Sequence, residues 1–180
     1  MIWSNEMFAE QAFCRFRIEE SDKKAARAAG KGEKQGMKIA IGSDHGGYDL
    51  KQDVITYLQE KGFEVEDYGC HSKASCDYPE FGRAAALAVA EGKCDKGIVI
   101  CTTGIGISIV ANKVKGIRCA LCADTVTARL TREHNDANVL AMGAGIVGKN
   151  LAFGIVDTFL GTAFSEEEKH ARRIRAIETL

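Results

Sequence analysis

The chain has 180 residues, 46% of them hydrophobic and 27% charged, which suits one compact domain able to fold without metal or disulfide staples. A formal net charge of −1 supplies no global basic field, so neither nucleic acid nor an anionic membrane surface is an expected partner. No apolar stretch approaches the roughly 20 residues of a bilayer span, and Met1-Ile2-Trp3 leads into Asn5, Glu6 and Glu10 rather than a signal-peptide core, which makes the cytoplasm the expected location.

Residues 1–36 stand apart. Glu19 to Gly36 is rich in Lys, Glu, Ala and Gly with little to bury, so a disordered extension or a loose helix is expected, and Met37 is a candidate natural start. Regular patterning then occupies 37–180. Lys38 to Gly42 reads as a strand, followed by a helix with Leu50, Val54, Ile55 and Leu58 on one face. Phe63 to Tyr68 is a second strand, and Pro79 to Glu91 a helix with proline in its first turn. The unbroken apolar run Gly97 to Cys101 predicts a central strand buried on both faces, running into a short helix over Gly104 to Lys113.

Ile117 to Cys122 is the fourth strand, and Asp124 is placed to cap a helix bearing Val126 and Leu130. Asn138 to Met142 is the fifth strand, before a long helix with Leu151, Ile155 and Phe159. Ser165-Glu166-Glu167-Glu168 has the pattern of a capping box opening a last helix. Strands alternating with helices predict an α/β fold: a single doubly wound, Rossmann- or flavodoxin-like domain whose five-stranded parallel sheet runs 2-1-3-4-5. In such sheets ligands sit beyond the carboxyl ends of the strands, at the switch between strands one and three. The loops that matter are then Ser43-Asp44-His45 and Thr102 to Gly106.

Seven cysteines are an odd number and form no secreted disulfide framework. Cys119-x-x-Cys122 has redox or zinc spacing, but on a strand these positions point to opposite faces. Cys70, His71 and Cys76 could start a zinc site but lack a second ligand pair, so no metal is expected there.

Cys101 has the position of a reactive group. Gly104 and Gly106 let the backbone turn sharply into a helix whose first N–H groups favour an anion and a neighbouring thiolate. A base beside an anion hole is what proton abstraction next to a carbonyl needs. A buried structural cysteine fits the pattern equally well. Asp44 and His45 suit sugar hydroxyls or ring opening, although Asp44 also suits a helix cap. His134 suits an acid near neutral pH or a partner for a helix dipole. Lys169 and Arg173, four apart on one helix face, suit a phosphate clamp or a solvated surface. Gly143-Ala144-Gly145-Ile146-Val147-Gly148 matches G-x-G-x-x-G, yet Asn150 replaces the Ser or Thr of a P-loop and no further strand follows. It is a poor candidate for nucleotide.

Several segments in order resemble the type B ribose-5-phosphate isomerase family, which includes the galactose-6-phosphate isomerase subunits. They are Gly42-Ser43-Asp44-His45-Gly46-Gly47, Asp77-Tyr78-Pro79, Ile100 to Ser108, Ala111-Asn112-Lys113 and Arg132 to Asn138. The resemblance covers Met37 to about Thr179 and implies a metal-free and cofactor-free aldose–ketose isomerisation of D-ribose 5-phosphate and D-ribulose 5-phosphate through an enediol. It makes Cys101 the base between C1 and C2, and His134 the acid that opens the furanose. It gives Asp44, His45, Asn135 and the loop Thr102, Thr103, Gly104, Ile105, Gly106 to the sugar and its oxyanion, with Tyr78 nearby. Arg173 matches one phosphate ligand and Lys169 replaces another. It also implies a homodimer or homotetramer whose sites draw on two subunits. Gly145 stands where the family usually has arginine, and Thr102 where it has glycine. These departures keep open another substrate, such as a tetrose, allose or galactose phosphate.

Overall fold

The computed structural model describes residues 36–179, so the expected N-terminal extension lies outside the described residues apart from Gly36. In chain order the elements are β1 (Lys38–Ser43), α1 (Tyr48–Glu60), β2 (Glu64–Asp67), α2 (Tyr78–Ala90), β3 (Lys96–Cys101), α3 (Ile105–Ala111), β4 (Cys119–Leu121), α4 (Thr125–Asn135), β5 (Val139–Gly143), α5 (Lys149–Gly161) and α6 (Glu168–Glu178). All strand pairs are parallel, so every strand presents its carboxyl end to the same edge.

The period of two along each strand builds two cores. Ile39, Ile41, Ile98, Ile100, Leu140 and Met142 pack on one face against Leu50, Val54 and Leu58 of α1 and Ile155 and Phe159 of α5. The residues between them, Ala40, Val99 and Ala141, face Ala85 and Val89 of α2 and Ile107 of α3. The small alanines of α2 let that helix lie close to the sheet. No helix among the described residues is long and apolar enough to cross a membrane.

The strand order is β2-β1-β3-β5-β4, which corrects the expected 2-1-3-4-5 at one edge. The cause is burial. Val139 to Gly143 is covered throughout and needs neighbours on both sides, whereas β4 has three residues and leaves Leu121 43% exposed. The switch between β1 and β3 is unaffected. A second correction concerns α6: Glu167, not Ser165, occupies its N-cap, and Glu166 takes φ 57. The Ser165 N–H donates to Glu133 O at 3.1 Å, so that segment is tied to α4 instead of capping α6. Asp124 does cap α4, its carboxylate accepting from Thr127 N at 2.7 Å.

Candidate active site

The registers bring two loops to one place. Ser43 pairs with Ile100 and Cys101 with Gly143, so β1, β3 and β5 all end at the same level. Beyond β1, Asp44 is 6% exposed, and its Oδ1 accepts from Gly47 N at 2.9 Å where α1 begins. Gly47, not Asp44, is the N-cap of α1, so the capping expectation for Asp44 is corrected: its Oδ1 closes the turn that leads into the helix, and Oδ2 remains for a ligand. His45 is exposed, with Nδ1 3.2 Å from both the N and O of Cys76. When Cys76 N–H donates to Nδ1, the ring proton sits on Nε2, which is left for a ligand.

Beyond β3, Cys101 is 5% exposed, and its Sγ accepts a hydrogen bond from Gly104 N at 3.1 Å. An N–H aimed at sulfur stabilises negative charge on it. Gly104 has φ 76, and a Cβ there would stand 2.8 Å from Met142 C and 2.9 Å from Gly143 N. Only glycine fits this turn. Thr102 Oγ1 lies against Gly46 where a side chain would stand, so the β1 and β3 loops touch. Tyr78 opens α2 and lays its ring over Gly106, where a Cβ would meet the hydroxyl oxygen at 2.8 Å. Asp44, His45, Tyr78, Cys101 and the Thr102–Gly106 loop thus form one cluster at the carboxyl edge.

The remaining predicted residues are elsewhere. His134 and Asn135 end α4, and three residues later Asn138 O accepts from Gly97 N at 3.0 Å, near the start of β3. They lie at the amino edge, separated from Cys101 by the length of β3, about 17 Å at roughly 3.3 Å per residue. There the His134 ring stacks on His170 of α6, with centroids 4.3 Å apart and planes within 9°. Lys169 pairs with Glu167 at 2.6 Å, and Arg173 is exposed one turn further on. The thirteen candidates are therefore two groups at opposite edges of one sheet.

Sequence reasoning missed the residues that fix the amino-edge group. Arg132, 6% exposed, donates from Nη1 to Asp136 Oδ1 at 2.7 Å and to Ala137 O at 2.5 Å. Arg118 donates to Asn135 O at 2.9 Å and to Asp136 O at 2.8 Å. Together they pin the turn after α4, where Asp136 takes φ 44. The i,i+4 spacing of Arg132 and Asp136 is a readable signal, but the position of Arg118 depends on strand order. A groove of about 820 Å³ opens beside Asn135, lined also by Lys113, Lys115, Arg118 and Ile177, and does not reach Cys101.

The G-x-G-x-x-G turn has its N–H groups engaged. Ala144 N donates to Cys101 O at 2.9 Å and Gly145 N to Thr102 O at 2.8 Å, while Ile146 and Val147 donate to Gly143 O. The turn braces the Cys101 loop and presents no phosphate cradle of the dinucleotide kind. Cys119 and Cys122 belong to opposite faces, as strand geometry predicts. Burial pushes the Cys119 thiol up to about 12 and also raises Cys122, so neither is poised to react. Among the described residues no three His, Cys, Asp or Glu side chains gather at metal-ligand spacing.

Comparison with known proteins bears on this arrangement. A family model described as Ribose/Galactose Isomerase matches residues 39–177. The ribose-5-phosphate isomerase B of Escherichia coli K12 is 48% identical over 143 residues, 79% of this chain and 95% of that protein. The galactose-6-phosphate isomerase subunit LacB of Clostridium acetobutylicum is 44% identical over 144 residues, 80% of this chain and 83% of that protein. The structure of Clostridium thermocellum ribose-5-phosphate isomerase B superposes with a TM-score of 0.78 at 55% identity, covering 79% of this chain and 96% of that one. The chain belongs to the ribose/galactose isomerase family.

Proposed function

We propose that this chain interconverts D-ribose 5-phosphate and D-ribulose 5-phosphate through an enediol, in active sites that each join the carboxyl edge of one copy to the amino edge of another. The observation that carries the reading is the separation of Cys101 from His134, which no single chain can bring onto one sugar. Ile105, Ile109, Leu121 and Ile146, each more than 40% exposed on α3, β4 and the β5–α5 turn, supply an apolar surface for that second copy.

In this reading His134 of one copy protonates the ring oxygen as the furanose opens. Cys101 of the other, as thiolate, removes the proton from C2 and returns it to C1, its charge eased by the Gly104 N–H. The helix-start N–H groups and Tyr78 stand where the enediolate oxygens form, and Asp44 and His45 Nε2 reach hydroxyls. Lys169 and Arg173 meet the phosphate, for which Lys169 leaves Glu167. No metal or cofactor enters any step.

Thr102 favours a second reading, in which the same chemistry acts on another sugar phosphate. Its side chain fills the gap between Gly46 and Gly145 and adds bulk next to the base. The deciding experiment is kcat/KM over a panel of four- to six-carbon aldose phosphates. Ribose 5-phosphate is expected to rank first; a clear preference for a tetrose or hexose phosphate overturns the substrate while leaving the reaction class.

A further inference from the structure

We infer that His170 is a positioning residue for His134, holding its ring in the plane from which it reaches the ring oxygen of a closed sugar. This rests on the reading of His134 as the ring-opening acid. Three observations converge on it. The two imidazoles stack nearly parallel at 4.3 Å, an arrangement that fixes one ring plane against the other. His170 is only 5% exposed although it lies in the run Lys169-His170-Ala171-Arg172-Arg173, whose other long side chains face solvent. Among the described residues its buried Nε2 has no hydrogen-bond partner. A buried imidazole left unpaired costs stability that a packing residue such as leucine would not, so packing alone is a poor reason for histidine here.

The charged groups around the pair are few. From α6 and its cap come Glu167, Lys169 and Arg173, with Glu167 and Lys169 paired to each other; from α4 comes His134 itself. Burial, then the nearby charges of His134 and Lys169, hold His170 below the usual histidine range. Burial thus favours the neutral form of His170, and a flat neutral ring supports positive charge across its face.

The chemistry of the substrates gives a test that a structural role would not pass. A pentose 5-phosphate is mostly a closed furanose, whereas an aldotetrose 4-phosphate cannot close because its O4 carries the phosphate. Ring opening matters only to the first. His170→Ala is expected to lower kcat for ribose 5-phosphate by about tenfold with KM little changed, while sparing the tetrose phosphate. His170→Phe, which keeps a flat ring, is expected to restore the pentose reaction to within about threefold. His134→Asn must show the same selectivity, and if it depresses both substrates or neither, the reading of His134 fails. If His134→Asn is selective but His170→Ala slows both sugars alike, or Phe rescues no better than Ala, the positioning role fails. A measurement independent of turnover is the NMR shift of the His134 ring protons. In the native protein they should carry the upfield ring-current displacement of a stacked neighbour, lost in His170→Ala and kept in His170→Phe. His134 ring signals that do not move in His170→Ala overturn the inference.

Discussion

Gly104 offers the sharpest quantitative test of how the Cys101 loop is built. Replacing it with alanine imposes a left-handed conformation on a residue with a Cβ, which costs about 1–2 kcal/mol. The new Cβ would also press on the Met142 and Gly143 backbone at 2.8 and 2.9 Å, where no side-chain rotation gives relief. Overpacking of that kind adds about 1–3 kcal/mol, for a total of about 2–5 kcal/mol. Gly116 supplies the control, because it has φ 80 but nothing within 4 Å of where a Cβ would stand. Gly116→Ala should therefore lose only the conformational part. Urea unfolding of both variants at matched protein concentration measures the difference, read as a shift in midpoint at constant slope. Equal losses in the two variants would show that the Gly104 turn is not jammed against β5, and the geometry given to Cys101 would then be wrong. Because Gly104 N also donates to Cys101 Sγ, Gly104→Ala should lower kcat where Gly116→Ala does not.

Two further perturbations test the scaffold. Lys51 is fully buried and paired at 2.5 Å with Asp67, whose side chain is 26% exposed and also accepts from Gly69 N, so Lys51→Met alone should cost about 1–3 kcal/mol, while Lys51→Met with Asp67→Asn, which keeps the Gly69 acceptor, should recover most of it; thermal and urea midpoints that fall equally in single and double variants would contradict this. Asp124 is held below the usual carboxylate range by the Thr127 N–H, so the folded state binds its proton less readily than the unfolded one. Its contribution is present above the unfolded value of about 3.9 and is lost as pH falls through the depressed folded value. Asp124→Ala should accordingly be less stable than the native chain at pH 7, with the gap closing on acidification, and a gap that is the same at pH 7 and pH 3 would refute the cap.

Much of the fold is legible because its elements obey local rules. The alternation of Ile39 and Ile41 against Ala40, the proline in the first turn of α2 and the Asp124 cap each predict structure from neighbours a few residues away. The β4–β5 order is harder to read, since it depends on comparing two strands. Arg118 inside the Ile117–Cys122 run, set against the unbroken Val139 to Met142, is the signal that assigns the edge. Ser165 misleads because a capping pattern says nothing about Glu133 O, which claims that segment's N–H first. The carboxyl-edge half of the site follows from the switch-point rule once β1 and β3 are placed. His170 is not legible at all: flanked by charges on an exposed helix, it is buried only because α6 folds back onto α4. The separation of His134 from Cys101 is legible in outline, since a residue just before a strand and one ending a parallel neighbour lie at opposite edges.

The central claim, that each active site joins Cys101 of one copy to His134 of another, is tested most directly by mixing two variants. Cys101→Ala and His134→Asn should each be folded and inactive alone. A dimer with one chain of each type has one site lacking both groups and one site with both intact. Random reassortment after co-refolding makes about half the dimers mixed, so about a quarter of native activity should return on mixing. If the mixture stays as inactive as its components while mixed dimers are present, or if either variant alone turns over ribose 5-phosphate near the native rate, the shared site is wrong.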